Sequence, residues 1–129
     1  MRLLLDTHVF LQLCEDPGSL PQKAREATRG SGNEVYLSIA SPWEMQIKVA
    51  LRKLHLAAPP RDLVQFEIDR GAITLLPISL MHVDELSRLP SIHRDPFDRI
   101  LIAQARCEGL RLVSGDSRIH QYPVDCLWD

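Results

Sequence analysis

Four acidic residues, Asp6, Glu44, Asp98 and Asp116, occupy positions from which carboxylates can be gathered at one place. Asp6 ends the apolar run Leu3-Leu4-Leu5, and Asp116 follows the apolar run Leu110 to Ser114 in Ser114-Gly115-Asp116-Ser117. Glu44 and Asp98 each stand two residues after a proline, in Ser41-Pro42-Trp43-Glu44 and Asp95-Pro96-Phe97-Asp98, near the start of an amphipathic stretch. Clustered carboxylates repel one another unless a cation joins them, and hard oxygen donors suit Mg2+ or Mn2+ better than Zn2+. Such ions lower the pKa of a bound water, orient it for in-line attack on a phosphodiester and stabilise the leaving oxygen. The chemistry would be hydrolysis without a protein nucleophile.

Each acid also has a plain structural use. Asp is a favoured N-cap, so Asp6 is expected either to cap the next helix or to serve a site at the carboxyl end of its strand. Ser41 to Glu44 reads as a capping box with Pro42 at the first helical position, and Lys48 offers Glu44 an i,i+4 ion pair. The same spacing nevertheless puts Glu44 beside the apolar stripe of Trp43, Ile47, Ala50 and Leu54, which is expected to face the core. Asp95 is assigned as the N-cap of the next helix, with Asp98 at the third helical position over Leu101, Ile102 and Ala105. An ionised group on that face is costly unless it meets a cation or donors. Capping the short segment to His120 is the structural alternative for Asp116.

The elements that must bring these acids together are legible from periodicity. Arg2 to Leu5, Glu34 to Ile39, Ala72 to Leu76, Leu110 to Ser114 and Val124 to Leu127 read as strands. Helices are expected from near Asp16-Pro17-Gly18 to Arg29, where Gly30-Ser31-Gly32-Asn33 makes a turn, and over Ser41 to Leu54, Arg61 to Arg70, Ser79 to Leu89 and Pro96 to Glu108. Strands separated by helices and apolar on both faces imply a mostly parallel sheet covered on both sides. Two acids then follow strands, and two lie in the first turns of covering helices, all able to meet at one sheet end.

A length of 129 residues with 45% hydrophobic content predicts one domain over 1–129 with one substantial core. The run Leu3 to Leu5 is too short for a signal peptide or a membrane span. Three cysteines without a C-x-x-C spacing argue against a disulfide framework and a zinc site, and fit a reducing cytoplasm. The formal charge of -2 is near neutral, but twelve of the fifteen basic residues are arginines, whose planar fork suits phosphate.

Taken together, Leu3-Leu4-Leu5-Asp6-Thr7-His8, Ser41-Pro42-Trp43-Glu44 with Lys48, His93-Arg94-Asp95-Pro96-Phe97-Asp98-Arg99 running into Ala103-Gln104-Ala105, and Leu112-Val113-Ser114-Gly115-Asp116 make the sequence resemble the PIN domain. Within that family it is similar to the VapC-type toxins of bacterial toxin–antitoxin pairs. The resemblance covers nearly the whole chain. It implies a three-layer α/β/α sandwich with a mostly parallel central sheet, Mg2+-dependent endoribonuclease activity on RNA, a homodimer, and inhibition by a small cognate antitoxin. Asp6 and Asp98 match the principal metal ligands, Glu44 and Asp116 the other two acids, and Thr7 and Ser114 hydroxyl positions that support them. Ser114 replaces the more usual threonine.

Other residues carry less. The histidines His8, His55, His82, His93 and His120 lack the H-E-x-x-H spacing of a zinc site; a structural role is favoured for His93, with a hold on the loop or on a phosphate as the alternative. Trp43 is read as core rather than as a base-stacking platform, and Arg99 as a helix arginine, exposed or ion-paired, rather than a contact to phosphate or antitoxin. Ser117 and His120 lack the G-x-S-x-G elbow of a serine hydrolase. Two competing functions are a catalytically degenerate scaffold acting as a regulatory binding module, and a receiver-like phosphoryl-transfer domain. The latter would want a lysine near the phosphoryl group, whereas Lys23, Lys48 and Lys53 fall in predicted helices.

Overall fold

In the computed structural model, which describes residues 1–30 and 32–129, Leu3 and Leu5 pack into one hydrophobic cluster and Leu4 into another on the opposite face of the same strand. That period-two alternation is the pleat of a strand buried on both sides. Strand β1 (Arg2–Leu5) pairs in parallel with β2 (Glu34–Ser38) and β4 (Arg111–Val113), while β3 (Thr74–Leu76) and β5 (Cys126–Leu127) form the edges. The order is β3-β2-β1-β4-β5, so strand order reverses between β1 and β4. Ser31, in the predicted turn after Arg29, lies outside the described residues.

Helices α1 (Thr7–Glu15), α2 (Gln22–Arg29) and α4 (Pro60–Asp69) cover one face through residues such as Val9, Phe10, Ala24 and Val64. On the other face lie α5 (Leu80–Glu85) and α6 (Pro96–Glu108), the latter contributing Ile100, Leu101, Ile102, Ala103 and Ala105. The expected three-layer α/β/α architecture is therefore the observed one. Helix α3 (Ala40–Ala50) belongs to both sides, giving Ala40 to one core and Met45 to the other.

Three sequence expectations are corrected. The helix read from near Asp16 to Arg29 is a 3-10 turn at Pro17–Ser19 followed by α2, and a separate helix, α1, precedes it. Asp6 caps α1, and the residue before a proline is disfavoured in helix, so Asp16 ends α1 at φ -151°. The capping box at Ser41 is absent: Ser38 Oγ accepts the Ala40 N–H at 3.1 Å, and α3 starts earlier, leaving Ser41 inside it. That shift in phase buries Ala40, Ser41, Glu44 and Met45, and it exposes Trp43, Ile47 and Ala50, which were expected to face the core. Finally, the stretch Ser79 to Leu89 is α5 followed by a 3-10 turn over Leu86–Arg88.

Helix α6 keeps its predicted bounds. Asp95 Oδ1 accepts the Phe97 N–H at 2.9 Å, Pro96 opens the helix, and Gly109 closes it in the left-handed region at φ 66°, where a side chain would be strained.

Candidate metal centre

Asp6 leaves β1 at the point where strand order reverses, the position at which open parallel sheets leave a crevice for ligands. It serves both uses open to it. Its Oδ1 accepts the His8 N–H at 3.1 Å as the cap of α1, and its Oδ2 accepts the Ser114 hydroxyl at 2.6 Å. Ser114 comes from the end of neighbouring β4, is fully buried, and takes the Asp116 N–H on the same oxygen at 3.1 Å. One hydroxyl thus locks the loops after both central strands. Burial is the main cause that raises the Asp6 pKa; nearby Glu44 raises it further, against the hydrogen bonds from Ser114 and His8.

Glu44 enters from α3 in its second turn, not its first. Because α3 lies across the carboxyl end of the sheet, the inward residue of this turn points at Asp6, and Glu44 is only 4% exposed. Its Oε2 accepts from Lys48 one turn on, while its Oε1 is buried without any partner among the described residues. Ser41, one turn earlier, accepts the Thr7 hydroxyl at 2.8 Å, so Thr7 ties α1 to α3.

Asp98 descends from the first turn of α6 and is 9% exposed. Burial pushes its pKa up to about 8, and the charges of Asp6, Asp95, Glu44 and Asp116 add to the effect. Asp116 is half-buried, with Oδ1 accepting the Arg118 N–H at 2.8 Å. All four acids line one cavity of about 850 Å³ at the carboxyl end of the sheet.

His93 is the member that sequence reasoning missed. Its Nε2 lies 2.9 Å from Asp98 Oδ2 and 3.9 Å from Asp116 Oδ2. The Asp95 N–H faces Nδ1 at 3.4 Å, so the ring is held with Nε2 at hydrogen-bond distance from Asp98. The backbone N–H of His93 donates to the Tyr122 hydroxyl at 2.8 Å and anchors the loop. His93, Asp98 and Asp116 bring ligand atoms within 4.8 Å of one another, close enough to hold a metal ion.

The donor set fits a hard divalent cation: carboxylate oxygens in excess of local positive charge, one of them buried and unpartnered. Lys48 offsets part of that charge, but four acidic side chains line the cavity.

A family model described as PIN domain matches residues 3–125. The chain belongs to the PIN domain family. This PIN chain folds like a chain of VapBC2 from Rickettsia felis, solved bound to a DNA fragment from their promoter, at TM-score 0.73 and 14% identity over 100% of both chains. It also resembles a chain of FitAcB from Neisseria gonorrhoeae, at TM-score 0.66 and 19% identity over 98% of this chain and 96% of that one. A third likeness is to VapBC-5 from Mycobacterium tuberculosis, a member of the VapBC family of toxin–antitoxin systems, at TM-score 0.57 and 16% identity over 93% and 89%. The comparison with curated proteins finds no match. Among the described residues no helix of the PIN chain is long and apolar enough to cross a membrane.

Proposed function

We propose that residues 1–129 form one nuclease domain, a Mg2+-dependent endoribonuclease that is the VapC-type toxin of a toxin–antitoxin pair. The observation that carries this reading is the buried, unpartnered Glu44 Oε1 in a cavity where Asp98 is held at a pKa of about 8. That combination is a deficit of positive charge, and a divalent cation removes it.

Asp6 and Asp98 are the principal holders of the ion, with Glu44 and Asp116 completing the set. When bound, Mg2+ or Mn2+ supplies Lewis-acid polarisation of the phosphodiester and a water acidic enough to attack near neutral pH. The chain's own part is orientation. Ser114 fixes Asp6 and, through the Asp116 amide, the loop after β4. His93 fixes Asp98 from the other side. Lys48 holds one Glu44 oxygen and leaves the other without a partner among the described residues; its own amine is desolvated, yet Glu44 carries its pKa above the usual value.

The solved VapBC proteins of like fold support a small antitoxin as partner, and the free cysteines Cys14, Cys107 and Cys126 support a reducing cytoplasm as its setting. An arginine from that partner would satisfy the acidic cavity as the metal does, which accounts for inhibition by charge replacement. A homodimer is supported by the outer face of α3, where Ile39, Trp43, Ile47 and Leu51 recur four residues apart and are 38–59% exposed.

The test is purified, partner-free protein incubated with RNA, with Mg2+ and with a chelator. Cleavage that needs the metal and vanishes in Asp6→Asn and Asp98→Asn is expected. The absence of Mg2+-dependent cleavage of any RNA would leave the PIN fold as a binding module instead. Sedimentation equilibrium checks the dimer.

A further inference from the structure

Among the described residues, Trp128 is the only Phe, Tyr or Trp lining the acidic cavity. It comes straight off β5, whose pairing with β4 sets Leu127 beside Val113, and the Ser114 N–H donates to the Leu127 carbonyl at 3.3 Å. Trp128 is thereby delivered next to Ser114-Gly115-Asp116. The indole lies directly on the Gly115 backbone: a Cβ added there would stand 2.5 Å from Cε2, 2.6 Å from Cζ2 and 2.9 Å from Nε1. No side chain fits at 115 while the ring holds this place. The ring also packs, partly buried, against the core under α1 and α2, and it lines the cavity. A Lys23 Nζ contact to the Asp129 carbonyl at 3.4 Å tethers the residue after it.

A large, rigid ring, backed by core and glycine, beside the acids, is what an unstacked base requires. Arg118 and Lys53, on the same cavity, supply positive charge for the flanking phosphates. By contrast Trp43, the sequence candidate for stacking, lies outside the cavity lining and meets the Phe97 ring edge-on at 5.1 Å.

We infer that Trp128 is a stacking platform for one nucleobase adjoining the phosphodiester that the acids cut. This rests on the nuclease reading above. Stacking tolerates every base, so the subsite fixes where along the strand the cut falls rather than which base is chosen.

The full chain is assayed on a short oligoribonucleotide in which a single abasic position is walked across the cut. In the wild type, one abasic position lowers kcat/KM by about tenfold, the scale of one stacked base. In Trp128→Ala that same position costs less than about twofold relative to the intact oligonucleotide, and Trp128→Phe recovers part of the sensitivity. If Trp128→Ala does not fold, Trp128→Phe against wild type makes the same comparison with a smaller difference. An abasic penalty equal in wild type and variants overturns the stacking role while leaving the nuclease intact. Failure of the wild type to cut the intact oligonucleotide with Mg2+ removes the nuclease reading and the platform with it.

Discussion

At the amino end of the sheet, Arg2 Nε meets Glu34 Oε2 at 3.2 Å, Arg111 Nε meets Asp125 Oδ2 at 3.2 Å, and the Met1 ammonium donates to Asn33 Oδ1 at 2.8 Å. At the carboxyl end, Asp6, Glu44 and Asp98 are each less than a tenth exposed, and Glu44 Oε1 has no partner among the described residues. The same residue types thus serve two purposes in one small fold. Water screens the exposed Arg2–Glu34 pair at the first end, and it contributes little. The second end concentrates like charge in a desolvated cavity, which costs stability unless something cationic arrives. A charge set against stability in this way is the mark of a site rather than of a scaffold.

The largest expected effect separates the two ends by activity. Asp98→Asn keeps the shape of the side chain but removes an anionic ligand of the proposed metal, so Mg2+-dependent RNA cleavage should fall below detection. Glu34→Gln, at the other end, should cleave RNA as the wild type does. Equal activity in both variants would break the comparison.

The second effect is on stability against pH in metal-free protein. Asp98 binds its proton far more tightly when folded, at a pKa of about 8, than at its ordinary value of 3.8. Between those values the unfolded chain has lost a proton that the folded chain retains, so this group makes stability fall as pH rises from about 4 to about 8. Below that window the carboxyl is neutral in both states and the penalty is gone. Asp6, Glu44, Asp95, Asp116 and His93 face the same carboxyl, and Asp98→Asn isolates its share. Melting of the metal-free wild type at pH 5 and at pH 8 should therefore show a drop that Asp98→Asn reduces. Mg2+ at about a hundred times its Kd adds about 2.7 kcal/mol by mass action and should flatten the wild-type profile from the alkaline side. A wild type whose Tm rises with pH over this range would contradict the sign.

A third, smaller effect concerns His93. Carboxylate ligands held by a hydrogen bond typically lose about ten- to a hundredfold in metal affinity when that partner is removed. His93→Ala should weaken Mn2+ binding by that order in calorimetry, and His93→Gln, which retains a donor, should recover part of it. Unchanged affinity in His93→Ala would confine His93 to anchoring its loop through Tyr122.

How much of this was legible follows from where each residue sits. Asp6 and Asp98 are marked by strong local signals, a strand stopped by an acid and an Asp-Pro helix start, and α6 keeps its predicted bounds because Asp95 and Gly109 punctuate it at both ends. Glu44 is singled out in the sequence by its place beside the apolar stripe of Trp43, Ile47, Ala50 and Leu54, yet the structure turns that stripe outward and Glu44 inward. Its structural alternative, the capping box, is absent, since the Ser38 hydroxyl takes the Ala40 N–H and α3 starts earlier. That competition is decided by tertiary placement across the sheet end, which periodicity does not record. His93 lies in a loop before α6, where no period marks which way a side chain faces, so the sequence leaves it between a structural role and a hold on the loop or on a phosphate. That Trp128 lies on Gly115 depends on the β4–β5 pairing, which no local pattern records.

The smallest effect closes the comparison from the amino end. Arg2 and Glu34 are 48% and 62% exposed, so their attraction is screened by water and offset by the entropy of ordering two long side chains. Glu34→Gln should cost at most about 1 kcal/mol, a shift of a few degrees in Tm. Salt makes the argument sharper: at about 1 M the Debye length is only about 3 Å, so the wild-type and Glu34→Gln melting curves should converge. The pH-dependent difference between wild type and Asp98→Asn should persist largely at the same salt, since its leading cause is burial, which ions in solution do not screen. If high salt erased both differences alike, the carboxyl-end acids would be no more desolvated than the pair at the amino end.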